Sequence, residues 1–380
     1  MWKDVGFVAA LCLARVAFGY QFQSLASLGP ELVAEFHIDY AALGTLIGFY
    51  MLPGIPLALP GGLLGRRFGA RVVVGGGLGL MCLGSLLAAL VFTPSGIGAG
   101  RTICGTGAIA LVVMQGKMVA DRFAGRSFMP VMGLLVGAFP VGAGLVGLTH
   151  GMVEQALGAR GLFMAGTVIP MASLLLFLPT AIREPRLTAK FALPSRRECG
   201  LVMVAGLVWT GYNAGYYGFL SYAPSVLADR HHTPATIATV MTIATWANLP
   251  ATILGGWLAG RVGNRTVFMT GAVAEVIAVA GPAVIDWPIT WALIFGVGAA
   301  LHAGVIIAIG TLSARPENRA VGMGLFYTTY YLGGTFLPAL CGRAADLTET
   351  PSGALVAAAA LSAFAIPLYV LHQRMERQPA

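Results

Sequence analysis

Long apolar runs recur along this chain so closely that they dictate both its solvent and its secondary structure. A helix rising 1.5 Å per residue needs about 20 residues to cross a hydrocarbon layer about 30 Å thick. Twelve windows of that length fit, at 5–28, 40–64, 71–93, 97–118, 127–149, 159–181, 200–227, 235–259, 266–286, 288–312, 320–342 and 353–372. Backbone groups inside a bilayer must find their partners within their own segment, so each window is expected to be a helix. Composition agrees, since 57% of residues are apolar and 10% charged, against about 25% charged in soluble domains. The expectation is an all-α integral membrane protein. Arg15 interrupts the first window and no small-residue cleavage site follows it, so that window is expected to be a retained helix rather than a leader.

A duplication organises the twelve windows. Gly61-Gly62-Leu63-Leu64-Gly65-Arg66-Arg67-Phe68-Gly69-Ala70-Arg71-Val72-Val73 recurs as Gly255-Gly256-Trp257-Leu258-Ala259-Gly260-Arg261-Val262-Gly263-Asn264-Arg265-Thr266-Val267, a constant offset of 194 positions in 380 residues. Gly116 likewise recurs as Gly310. Two copies of one loop on the same side of a membrane require an even number of spans between them. Six spans per half meet this condition, which makes the halves parallel repeats. The expected units are 1–182 and 199–380, joined by a polar cytoplasmic linker at 183–198.

Charge gives the orientation. Of 23 Lys and Arg residues, eighteen fall on the side of the duplicated loop, three (Arg160, Arg230, Arg343) fall on the other, and Arg15 and Arg101 lie inside the membrane. That asymmetry places the loop and both termini in the cytoplasm by the positive-inside rule. The net charge of +8 is dispersed in small clusters between apolar runs, without a continuous basic face, so it does not describe a nucleic-acid surface. The five cysteines lack CxxC spacing and imply neither a disulfide framework nor a metal site.

The loop from Gly62 to Arg71 resembles the signature between helices 2 and 3 of the major facilitator superfamily, with a weaker copy between helices 8 and 9, and the resemblance spans essentially the whole chain. It implies a transporter of two six-helix bundles, no cofactor, and a gating role for Gly62, Arg66, Arg67, Gly69, Arg71, Arg261, Gly263 and Arg265. Arg66 and Gly260 stand where the family motif carries an acid, so an acidic latch is not carried over. The segment beginning Arg101-Thr102-Ile103-Cys104-Gly105 is similar to the family's helix 4 motif, an arginine four residues before a glycine, with Cys104 in place of a common glutamine. The family also implies that helices 1, 4, 7 and 11 border the transport path. Gly142-Ala143-Gly144-Leu145-Val146-Gly147 matches GxGxxG, but no strand precedes it, and close helix packing is the expected use of its glycines.

Substrate chemistry is read from what a bilayer penalises. An arginine at a helix centre costs about 2.5–3.5 kcal/mol on insertion scales, so Arg15 requires a partner, water or a ligand. Arg101 shares that half, whose predicted spans hold no central carboxylate. Phe18 and Phe22 share the Arg15 face. In the second half, Tyr212, Asn213 and Tyr216 lie on one face of the seventh window, and Tyr327, Tyr330 and Tyr331 on one face of the eleventh. These ten residues are the candidate substrate site. His302 and Glu275 are candidates for proton coupling, with interhelical packing the alternative for each. The expected function is alternating-access transport of a small anionic solute across the cytoplasmic membrane, with protons or a counter-anion as possible co-substrates. The alternative is a proton-coupled exporter of drugs or metabolites. A monomer in the lipid bilayer is expected, with no nucleic-acid partner, metal or catalytic residue.

Overall fold

The computed structural model describes residues 2–58, 67–123, 128–180, 194–315 and 318–377. Among them the regular structure is entirely helical. The helices in the first half are α1 (Trp2–Ser27), α2 (Gly29–Phe36), α3 (Tyr40–Gly48), α4 (Gly54–Leu57), α5 (Ala70–Leu90), α6 (Pro94–Arg122), α7 (Phe128–Leu157) and α8 (Arg160–Thr180). The second half follows with α9 (Arg196–Asp229), α10 (Pro234–Trp246), α11 (Asn248–Val262), α12 (Asn264–Val284), α13 (Pro288–Leu312), α14 (Arg319–Thr348), α15 (Ser352–Ala363) and α16 (Ala365–Arg377).

Nine of the membrane-length segments among the described residues are long and apolar enough to cross a bilayer by composition. The other three have identifiable reasons for falling short. The described residues of the second span are broken into α3 and α4, while α9 and α14 carry the tyrosines and threonines that lower their hydropathy. Proline explains the breaks. A proline has no N–H for the carbonyl four residues back, and α10 gives way to α11 at Ala247, three residues before Pro250, just as α15 gives way to α16 at Phe364, three residues before Pro367. Pro53 and Pro56 interrupt the expected 40–64 helix in the same way. Pro140, Pro170, Pro179, Pro224, Pro282 and Pro338 remain inside intact helices, as membrane helices tolerate.

The chain divides into two compact units, Met1–Leu28 with Phe49–Ala189, and Gly29–Gly48 with Lys190–Ala380. Within the first unit α1 packs on α7 and α8, and α5 packs on α6 and α8. Within the second, the corresponding spans repeat this pattern, with α9 on α14, α15 and α16, and α12 on α13 and α15. The early segment α3 joins the second unit by lying along α14. Glycines permit the approach, since a Cβ on Gly44 would meet the Pro338 carbonyl and one on Gly342 the Tyr40 carbonyl. The Asp346 carboxylate of α14 then accepts hydrogen bonds from the Tyr40 and Ala41 backbone N–H groups at 2.8 and 3.0 Å, satisfying donors that the first turn of α3 leaves open.

The duplication is visible in backbone angles and in ion pairs. Gly69 (φ 84°, ψ 145°) precedes α5 and Gly263 (φ 89°, ψ 149°) precedes α12, 194 positions apart, in a region open essentially to glycine alone. An acid in the first turn of each half's first span also recurs at that offset, Asp4 and Glu198. Arg122 donates to Asp4 from Nε and Nη2 at 2.9 and 2.8 Å. Arg315 donates to Glu198 from its backbone N–H at 2.9 Å and its Nε at 3.1 Å.

Candidate functional site

In the first unit the chemistry gathers around α1. Arg15 is half-buried near the middle of the Asp4–Ser27 span. One and two turns further on, Phe18 and Phe22 enter a four-ring cluster with Tyr50 and Phe139. Phe18 stacks on Tyr50 at 5.6 Å and meets Phe139 edge-on at 4.9 Å, while Phe22 meets Tyr50 edge-on at 6.0 Å. The cation over these rings is Arg101, whose guanidinium sits 5.0 Å from the Tyr50 centroid and 5.8 Å from that of Phe22. Arg101 is 2% exposed, and its Nη1 donates to the Gln21 carbonyl at 3.1 Å.

Gln21 is the hub that sequence reading passed over. Its Nε2 donates to the Met81 and Gly166 carbonyls at 3.0 and 2.8 Å, and its Oε1 accepts from the Tyr50 hydroxyl at 3.1 Å. One amide thereby ties α1 to α5, to α8 and to the turn holding Tyr50. The available signal was a buried amide within an otherwise apolar helix, since such a group must be hydrogen-bonded. The arginine-to-glycine spacing in α6 also acquires a cause. A Cβ on Gly105 would collide with the Tyr50 carbonyl, so the glycine lets α6 press against the residue that Arg101 covers. Packing also accounts for Gly142 of the GxGxxG stretch, where a Cβ would strike the Val16 carbonyl of α1, with Gly19 set reciprocally against Phe139.

In the second unit the tyrosines separate onto two sides of α9. Tyr212 stacks on Trp209 at 4.7 Å and meets the His302 ring edge-on at 5.1 Å; Tyr216 stacks on Phe295 at 5.5 Å. Both therefore face α13. One residue further, and about 100° around the helix, Asn213 and Tyr217 face α14. They line a narrow crevice with Thr210, Gly333, Gly334 and Cys341. Its free volume of about 10 Å³ suits about one water molecule. The Tyr217 and Tyr330 hydroxyls lie 2.7 Å apart, and Tyr330 packs on Tyr331 at 4.8 Å, with Tyr327 6.4 Å from each. The candidate residues of α9 thus divide into a buried wall (Tyr212, Tyr216) and a crevice face (Asn213), and Tyr330 of α14 is tied to the crevice residue Tyr217. Trp209 and Tyr217 join them from outside the predicted set.

Glu275 and His302 come together. Their side chains are 0% exposed and His302 Nε2 lies 3.2 Å from Glu275 Oε2. Of the gating residues, Gly62 and Arg66 lie outside the described residues. Arg67 sits over Phe68 at 5.5 Å, and Arg261 over Trp257 at 3.9 Å. Arg71 donates to the Leu178 carbonyl at 2.7 Å, placing a cation at the C-terminal end of α8, where the helix dipole favours one. Gly69 and Gly263 are the positive-φ glycines described above, and Arg265 is exposed. Outside the spans, the Arg315 backbone N–H, seconded by the guanidinium and by Ser195, holds the Glu198 carboxyl well below the usual carboxylate range.

Repeated membrane-length helices, a buried arginine over an aromatic cluster and loops built on repeated glycines are the features of a membrane transporter. Family comparison makes this specific: a model of the Major Facilitator Superfamily matches residues 11–225 and 201–380, and the chain belongs to that superfamily. It is 23% identical to the 3-(3-hydroxy-phenyl)propionate transporter of Escherichia coli, covering 97% of this chain and 94% of that one. It is 25% identical to the cis,cis-muconate transport protein of Acinetobacter baylyi (91% of each chain) and 22% identical to the hexuronate transporter of Bacillus subtilis (93% and 91%). Among solved structures, the nucleoside transporter NupG matches in fold with a TM-score of 0.75 at 14% identity, over 97% of this chain and 99% of that one.

Proposed function

We propose that this protein carries a small organic carboxylate across the cytoplasmic membrane by alternating access, with both termini in the cytoplasm. The observation that carries the reading is Arg15, a half-buried guanidinium near the midpoint of α1. A second cation, Arg101, is fixed in the same unit. Among the described residues of the first unit, Asp4 and Glu154 lie near helix ends, while Arg15 and Arg101 lie within their helices. A guanidinium offers a planar fork matched to a carboxylate. The names of the relatives agree, since hydroxyphenylpropionate, muconate and hexuronate are all carboxylates. In this reading Arg15 meets the substrate, and Arg101 keeps α1 and the aromatic cluster in register.

Thermal melting of the purified protein with cis,cis-muconate, 3-phenylpropionate and glucuronate, beside the cation ethidium, tests this. A ligand bound only by the folded state raises the melting temperature. The carboxylates are expected to stabilise the wild type and to lose that effect in Arg15→Ala. Stabilisation by ethidium, unchanged in Arg15→Ala, would instead establish the exporter reading.

A further inference from the structure

We propose that Glu275 and His302 form a single proton-binding site inside the second unit, through which carboxylate movement is tied to proton movement; this rests on the transport reading above. The hydrogen-bond geometry itself demands a proton. His302 Nδ1 lies 2.9 Å from the Gly298 carbonyl, and because a carbonyl can only accept, Nδ1 must carry its hydrogen. In a neutral imidazole Nε2 is then a bare acceptor, and it faces Glu275 Oε2 at 3.2 Å. An ionised carboxylate facing a bare nitrogen would set two acceptors against each other. One proton therefore lies between them, on the carboxyl or on the imidazole, and in both arrangements the pair is neutral overall.

Burial locks that proton in place. Both side chains are 0% exposed. Among the described residues neither Glu275 oxygen nor His302 Nε2 has a partner of full hydrogen-bond geometry, the 3.2 Å approach of Nε2 and Oε2 being their contact with each other, and Oε1 faces Gly215 of α9, where a Cβ would lie 2.9 Å from it. Loss of the proton would leave a carboxylate in a dry interior with no donor, a state that proteins avoid. The proton can leave only when water or a donor reaches the pair, which requires α9, α12, α13 or α15 to part. A proton released only on conformational change is the condition for coupling it to alternating access.

The surroundings leave this pair as the titrating centre. From α9, Tyr212 and Tyr216 face it, with the Tyr212 ring 5.1 Å from that of His302. From α15 comes the Ser362 hydroxyl, beside Gly215, and from α16 Tyr369, stacked on Phe268 at 3.9 Å, itself edge-on to His302 at 5.5 Å. His372 of α16 bonds Ser313 at 2.8 Å, eleven residues along from His302 and about three helical turns away. In their described contacts with α13, α10 touches Gly296 through Ala244 and α11 touches Leu301 through Gly255, and neither contact is titratable.

Two measurements on the full chain in liposomes test the proposal. The first needs no substrate: infrared difference spectra across a pH titration should show the C=O stretch of a protonated carboxylic acid that is missing in Glu275→Gln and shifted in His302→Gln. The second uses cis,cis-muconate, comparing uptake driven by a pH gradient with exchange at equal pH. One proton per carboxylate allows about tenfold accumulation per pH unit, and both variants should lose this accumulation while still exchanging muconate. Gradient-driven accumulation that persists in both variants, or a wild type whose spectra show neither the carboxylic acid band nor an imidazolium–carboxylate signal that both variants lack, overturns the proton site. A wild type that shows the band but exchanges no carboxylate sinks the transport reading and leaves the proton site standing.

Discussion

Replacing Glu198 with alanine removes one carboxylate on which three residues converge. Its Oε2 accepts from the Ser195 backbone N–H at 2.7 Å, and the Ser195 hydroxyl accepts from the Glu198 N–H at 3.2 Å, a reciprocal cap on α9. Its Oε1 accepts from the Arg315 N–H, and Asn318 Nδ2 reaches both oxygens, at 3.3 and 3.1 Å. Loss of a cap costs about 1 kcal/mol. Asn318 is 2% exposed, so its amide loses its carboxylate acceptor in a buried place, and the part-buried Arg315 N–H loses its own, at about 1 kcal/mol each. The total is about 3 kcal/mol. Arg315→Ala is expected to cost at most about 1 kcal/mol, because its side chain is 65% exposed and solvent screens such a pair, while its backbone N–H stays bound.

The half-buried thiol of Cys199, next in sequence, reports opening of this turn. Its alkylation should accelerate about a hundredfold in Glu198→Ala and at most about fivefold in Arg315→Ala, since 1.4 kcal/mol is a factor of ten. Acid supplies a second reading. The folded carboxyl titrates below its unfolded value of about 4.3, so its stabilisation is complete above that pH and is lost as pH falls towards the folded value. Alkylation measured with an acid-tolerant reagent should therefore rise below about pH 4.3 in the wild type and stay flat in Glu198→Gln. Equal acceleration in Arg315→Ala and Glu198→Ala would refute the argument, because it would place the energy in the exposed guanidinium.

Three further outcomes are expected. Gly69→Ala and Gly263→Ala should each lower stability by about 1–3 kcal/mol, because φ near 84° and 89° with extended ψ is closed to a Cβ; Gly256→Ala, where a Cβ meets nothing, should be neutral or mildly stabilising, and melting curves compare the three. Without ligand, Arg101→Ala should melt several degrees below the wild type, because Arg101 bonds the α1 backbone and covers two rings. Tyr217→Phe and Tyr330→Phe should each cost about 0.5–1.5 kcal/mol, and the double variant little more than either single one, because the two hydroxyls form one hydrogen bond.

Apolar length and the offset of 194 determined the spans and the parallel repeats, because a bilayer leaves a spanning segment one backbone solution, and the motif from Gly62 to Arg71 pointed to the family whose model the chain matches. The loop glycines were legible for the same kind of reason, since positive φ is a local demand. Which residues meet was decided by the tertiary structure. Tyr212 and Asn213 are adjacent and look alike as cavity candidates, yet the rotation of α9 against its neighbours turns one to His302 and the other to the crevice. Arg101 read as a substrate-facing cation, and packing sets it over Tyr50. Glu275 and His302 sit on different helices and carry no shared pattern along the chain. Only the packing of α12 on α13 brings them to 3.2 Å, because a contact between helices depends on the rotation and depth of each, which side-chain volumes across the whole bundle settle together.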